Sequence, residues 1–192
     1  MSARSDPVLE CRTRDDWAAW LAAHGGASDG VWLRFARKGS GIESVTYPEA
    51  VEAALCHGWI DGQARRLDDD SWVQRFTPRR ARSRWSKRNR ERAEELIARG
   101  EMAPAGMAEV ERARADGRWE GAYDSPATAT VPDDLRRALD GNPAAAELFD
   151  RLDSANRYAI LYRIQDARRP QTRAARIERF VAMLARGETP HG

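Results

Sequence analysis

Residues 56–89 read CHGWIDGQARRLDDDSWVQRFTPRRARSRWSKRN, and this stretch decides the fold class. Trp59 to Leu67 and Ser71 to Phe76 are two strand-like runs flanking Asp68-Asp69-Asp70, a corner whose short carboxylates hydrogen-bond nearby backbone and favour turns. The pattern predicts a β-hairpin. After Pro78 the periodicity becomes helical. The window also concentrates charge: Arg75 to Arg92 holds nine Arg or Lys against one acid, Glu91, whereas the whole chain carries only +2. Charge held this tightly calls for solvent or an anionic partner, and the interleaved Trp59, Trp72, Phe76 and Trp85 place part of it inside the fold.

Upstream, Trp17, Trp20 and Leu21 have the spacing of one buried helix face, with Thr13 or Asp15 as the cap and His24-Gly25-Gly26 as the stop. Gly30 to Ala36 reads as a strand with Val31, Leu33 and Phe35 on one face. A basic, glycine-rich turn, Arg37 to Gly41, follows it. Thr46 before Pro48 opens a second helix, whose apolar stripe of Ala50, Val51, Ala54 and Leu55 runs to Cys56 and closes at Gly58. Residues 1–12 read as a polar leader. The expectation is therefore α+β, with a small N-terminal αβαββ unit followed by a mainly helical C-terminal half. The α+β domain is placed at 13–120 and the helical module at 131–187. Downstream helices are expected from Ser83 or Ser86 to Arg99, from Pro104 with Met107 and Val110 buried, around Leu135 and Leu139, and from Pro143. Two more run from Ser154 and from Thr172 to Arg186, and Tyr123 to Thr130 reads as a linker.

Composition excludes several classes. No apolar run approaches the roughly 18 residues that span a bilayer, and the N-terminus has no apolar signal core, so no membrane insertion and a cytoplasmic location are expected. Cys11 and Cys56 are too few for a disulfide framework and lack metal-ligand spacing, so neither a metal nor a cofactor is expected. Thirty of the thirty-two basic residues are Arg. GC-rich coding produces such a bias by itself, so position carries more meaning than number.

The candidate site residues follow from position. Ser83 and Ser86 precede a helix whose free N–H groups and positive dipole end favour an anion. Arg79 would supply counter-charge, Trp59 or Trp85 a flat wall, and Asn89 a further polar contact. These residues predict a pocket for an anionic small molecule between the hairpin and the helix after Ser83. Asp61 reads as a turn-stabilising carboxylate or as an acid paired with Arg79 or Arg80. His57 titrates near neutrality and is, with Asp61, a candidate acid–base group with Arg79 as anchor. Cys56 beside His57 does not make a nucleophile–base pair, because adjacent helix positions point about 100° apart. Basic residues interleaved with aromatics also suit a nucleic-acid or protein interaction face, although the near-zero net charge and the absence of a recognised DNA- or RNA-binding motif weigh against it.

Several spaced motifs together resemble the YdeI/OmpD-associated, or bacteriocin-protection, family. They are Gly58-Trp59-Ile60-Asp61-Gly62, Phe76-Thr77-Pro78-Arg79-Arg80, Ser83-Arg84-Trp85-Ser86-Lys87-Arg88-Asn89, Gly100-Glu101-Met102-Ala103-Pro104-Ala105-Gly106 and Asp116-Gly117-Arg118-Trp119. The C-terminal part, from Val131-Pro132 through Thr172 to Ile177 and Gly187, is similar to that family's helical module. The resemblance spans about residues 14 to 187. It implies a bacterial protective or stress-tolerance protein and brings no catalytic mechanism with it. Two departures stand out: His57 where the family pattern has an aromatic, and Ala167-Arg168 where it has Ala-Lys.

Overall fold

The computed structural model describes residues 6–191. The chain divides into two compact units. The first holds residues up to Trp85 together with Asn89–Gly121; the second holds Ser86–Arg88 and the chain from Ala122 onward.

The first unit contains β1 (Val8–Leu9), α1 (Arg14–His24), β2 (Val31–Ala36), α2 (Tyr47–Cys56), β3 (Trp59–Arg66), β4 (Ser71–Pro78), most of α3 (Lys87–Ala98) and α4 (Pro104–Ala115). The strand order is β1-β2-β4-β3, with β1 parallel to β2 and the other pairs antiparallel. The α+β class stands, and the element order gains a strand at its front. Part of the expected leader, residues 1–5, lies outside the described residues; Val8 and Leu9 pair with Trp32 and Leu33, and Trp32 N–H donates to the Pro7 carbonyl at 2.9 Å. A two-residue strand is too short to show alternation, so period alone does not reveal it.

Local chemistry accounts for the remaining elements. The Thr13 hydroxyl accepts from the Asp16 amide, and the Asp16 carboxylate takes the Thr13 amide in return, which closes a capping box on α1. Glu49 accepts from both the amide and the hydroxyl of Thr46 at the start of α2. In β2 the residues alternate buried and half-buried, with Val31, Leu33 and Phe35 inside. The hairpin forms as expected but carries an irregularity between Asp61 and Ala64, where the Gln74 side chain donates to the Gly62 carbonyl at 2.7 Å. This satisfies a carbonyl that the bulge removes from the ladder. Trp17, Leu21, Leu33, Leu55, Trp59 and Phe76 form the heart of the unit, and the Trp17 indole N–H donates to the Ala50 carbonyl at 3.1 Å. In α4 the buried positions are Gly106, Glu109, Val110 and Ala113, while Met107 is only half-buried.

The second unit holds α5 (Asp133–Asp140), α6 (Pro143–Arg151), α7 (Ser154–Gln165) and α8 (Pro170–Ala185). Asn142 caps α6 through the Ala145 amide, ahead of Pro143 in the first turn. Leu135, Phe149, Ile160, Ile164, Phe180 and Leu184 are its core. Arg173 clasps Asp134 through two nitrogens at 2.5 and 2.9 Å and donates a third bond to the Ile164 carbonyl, which ties α5, α7 and α8 together. The expected linker at 123–130 is structured at its start. The Asp124 carboxylate receives Lys87 Nζ at 2.6 Å and Gln165 Nε2 at 2.9 Å, and its amide donates to Gln165.

Candidate functional site

The residues singled out in the sequence occupy different surroundings. Arg79 follows β4 and is buried at 5% exposure; its guanidinium carbon lies 3.7 Å over the Trp85 ring and Nη1 donates to the Arg84 carbonyl at 3.2 Å. Trp85 is itself buried and packs edge-on against Trp119 with ring centroids 4.9 Å apart. Ser83 accepts from the Arg80 amide with its hydroxyl, at 2.9 Å, and from Arg118 Nη1 with its carbonyl, at 2.7 Å. Asn89 lies half-buried on α3. Ser86 belongs to the second unit, where it bridges to Tyr123. The Asp61 carboxylate accepts from the Tyr47 hydroxyl at 2.7 Å. Arg79 and Trp85 thus form an internal stack, with Ser83 in the turn beside it, and Asp61 anchors a different side chain.

Trp59 and His57 sit elsewhere, although Arg79 N–H donates to the Gly58 carbonyl between them at 2.9 Å. Both line a cavity of about 700 Å³ formed by the C-terminal end of α1, the α2–β3 corner and the first two turns of α4. Close backbone approach creates it. Gly58 has φ +74°, and a Cβ there would lie 2.9 Å from the Ala105 carbonyl oxygen. At Gly106 a Cβ would lie 2.2 Å from the Cys56 carbonyl oxygen, which also accepts the Ala103 amide at 3.1 Å. These two glycines seat α4 on the end of α2.

That seating places Glu109, one turn beyond Gly106, in the cavity wall. Glu109 is 8% exposed. Its Oε1 pairs with Arg112 at 3.0 Å, and its Oε2 is buried with no hydrogen-bond partner among the described residues. Leaving a buried acceptor unsatisfied costs about 1–3 kcal/mol, and more for a charged group. Trp59 meets Trp17 and Trp20 edge to face, with centroids 6.2 and 5.9 Å apart, and its indole nitrogen lies beside Gly25 of the same wall. Burial pushes the His57 imidazole below its ordinary value of 6.5, so it is neutral at pH 7. Of the fifteen described residues lining the cavity none is Arg or Lys, in a chain where one residue in six is basic. Asp29 is the other acid there. This arrangement can accept hydrogen bonds from a small molecule and cover its apolar body.

Sequence reasoning missed Glu109, which reads as one of several charges on a solvated helix face. The available signal was Gly106, a helix-interior glycine three residues earlier, marking close approach. Cys56 adjoins this wall as a buried thiol, and burial pushes its pKa up, away from an activated thiolate. Among the described residues no group of three or more His, Cys, Asp or Glu is arranged to hold a metal ion, and no helix is long and apolar enough to cross a membrane.

Two family models match the chain. Residues 9–109 match the one described as "Domain of unknown function (DUF8412)", and residues 128–187 match "Bacteriocin-protection, YdeI or OmpD-Associated". The resemblance read over 14 to 187 is therefore carried by the YdeI or OmpD-associated model in the C-terminal part alone. Neither the curated proteins nor the solved structures gave a match.

Proposed function

Since the chain belongs to the family of "Domain of unknown function (DUF8412)" through residues 9–109 and carries a bacteriocin-protection, YdeI or OmpD-associated domain at 128–187, we propose that it is a protective protein that binds a small molecule without transforming it. The site is the cavity between α1, the α2–β3 corner and α4. The observation that carries this reading is a 700 Å³ cavity whose wall includes the buried Glu109, one oxygen of which, Oε2, has no hydrogen-bond partner among the described residues. That volume lies within the roughly 300–1,000 Å³ of small-molecule sites, and a few placed polar groups among apolar walls are what such sites use.

The Arg79 surroundings support this location over the anion pocket expected after Ser83. A guanidinium stacked on Trp85 and bonded to the Arg84 carbonyl is engaged in packing. An acid–base enzyme built on Asp61 or His57 with Arg79 as anchor would need those groups to converge on one substrate. His57 lines the cavity, Asp61 holds Tyr47, and Arg79 lies against Trp85.

Thermal-shift screening of a small-molecule panel tests the proposal, with Ala22→Trp as the partner variant. Ala22 is an exposed position of α1 on the cavity rim, so an indole there occludes the space without entering the core. Binding by the wild type, lost in Ala22→Trp and with ligand recovered unchanged, is the expected result. Ligands that stabilise both proteins alike, or that are consumed, contradict it.

A further inference from the structure

Resting on that reading of the cavity, we infer that its ligand is a cation: a protonated amine or amidine attached to an apolar body, with the Glu109 carboxylate as the group that receives its N–H. A carboxylate oxygen in a residue only 8% exposed, with no partner among the described residues, is a strong acceptor awaiting a donor. Arg112 occupies only the other oxygen. The charges facing the space have one sign. Glu109 and Asp29 are acids, His57 is held neutral at pH 7 by burial, and no Arg or Lys lines the wall among the described residues. The N-terminal turn of α4 also borders the cavity and opposes a cation. Its macrodipole amounts to about half an elementary charge, with Pro104 contributing no N–H, against the carboxylates of Asp29 and of Glu109, the latter partly offset by Arg112 on its other oxygen. The carboxylates prevail. Leu21, Trp59, Pro78 and Ala105 complete the wall and set the apolar character of the ligand body.

Three probes with one apolar body and different charge separate the possibilities in calorimetry of the full chain at pH 7: benzylamine, benzyl alcohol and phenylacetate. Both the amine and the alcohol can donate to a carboxylate, but only the ammonium adds the attraction of a full opposite charge, which is strengthened where water is excluded. Benzylamine should therefore bind about tenfold or more tightly than benzyl alcohol, with phenylacetate weakest. Glu109→Gln, which keeps the shape, should remove most of the amine's advantage over benzyl alcohol. Asp29→Asn, at an exposed position, should weaken the amine two- to threefold and serves as the second variant if Glu109→Gln does not fold. Equal or tighter binding of benzyl alcohol or phenylacetate, abolished by Ala22→Trp, overturns the cation and leaves the cavity standing. Amine binding unchanged in both carboxylate variants also overturns the cation. Binding of all probes untouched by Ala22→Trp, or no binding by any, overturns the cavity reading itself.

Discussion

Replacing Gly106 with alanine tests how the site is built. In an ordinary helix interior the change gains about 1 kcal/mol, because alanine loses less conformational freedom than glycine. Here the added methyl would sit 2.2 Å from the Cys56 carbonyl oxygen, 2.7 Å from its carbon and 2.8 Å from the Leu55 oxygen. Ordinary contact needs roughly 3.4 Å, so α4 must move off α2 by about 1 Å, backbone against backbone. Overpacking of this kind costs about 1–3 kcal/mol. The displacement also breaks the Ala103-to-Cys56 hydrogen bond, at about 1 kcal/mol. Setting these against the helix gain leaves a net loss of about 1–3 kcal/mol. All seven tryptophans lie in the first unit, so fluorescence-monitored urea unfolding reports that unit alone. Gly26→Ala is the control, since a Cβ there meets nothing within 4 Å and its φ is not positive; it should be neutral or slightly stabilising. A stabilised Gly106→Ala protein would refute the close approach of α4 and, with it, the placement of Glu109.

Arg79→Ala should destabilise the first unit by about 2 kcal/mol or more in the same assay, because it removes a buried cation–π stack on Trp85; unchanged stability would contradict a packing role for Arg79. Burial raises the Cys11 thiol to about 11, above its value of 9.0 in the unfolded chain. The folded state therefore holds that proton more tightly, and this contribution is complete below about pH 9 and lost as the pH rises toward 11. A thiol reagent at pH 8 should accordingly label neither cysteine until urea unfolds the protein. His57 has the opposite sign. With its folded value depressed below 6.5, the unfolded chain takes the proton first, so stability falls as the pH drops below about 6.5. His57→Gln should flatten that limb of a stability–pH curve measured by urea unfolding. In the second unit, Arg173→Ala should cost about 1 kcal/mol after allowing for the partial exposure of the Asp134 pair, read from far-ultraviolet circular dichroism as a fall in that unit's Tm of roughly 4–8 °C.

The elements with strong local signals were legible in the sequence. Thr13 and Thr46 announced α1 and α2, the acidic corner at Asp68 to Asp70 announced the hairpin, and Asn142-Pro143 announced α6. What could not be read was anything fixed by contact between distant backbones. Val8 and Leu9 become a strand only because β2 is beside them, and Asp124 is held only because Lys87 and Gln165 reach it. The candidate site divides along the same line. Trp59 and His57 stood out by residue type and position and do line the cavity. The arginine run drew attention to Arg79, Ser83 and Trp85, yet charge density along a chain does not reveal which guanidinium stacks inside the fold. Glu109 has no distinguishing neighbours in sequence. Its importance comes from Gly106, which lets α4 approach Cys56 closely enough to bury a carboxylate.

A titration of ¹⁵N-labelled protein with benzylamine, followed by amide and indole resonances, tests the central claim most directly. Saturable shifts should concentrate at the Trp59 indole, Gly58, Ala105 and Glu109. Shifts centred on Arg79, Ser83, Trp85 and Asn89, or no saturable shifts at all, would contradict the assignment of the α1–α2–α4 cavity as the ligand site.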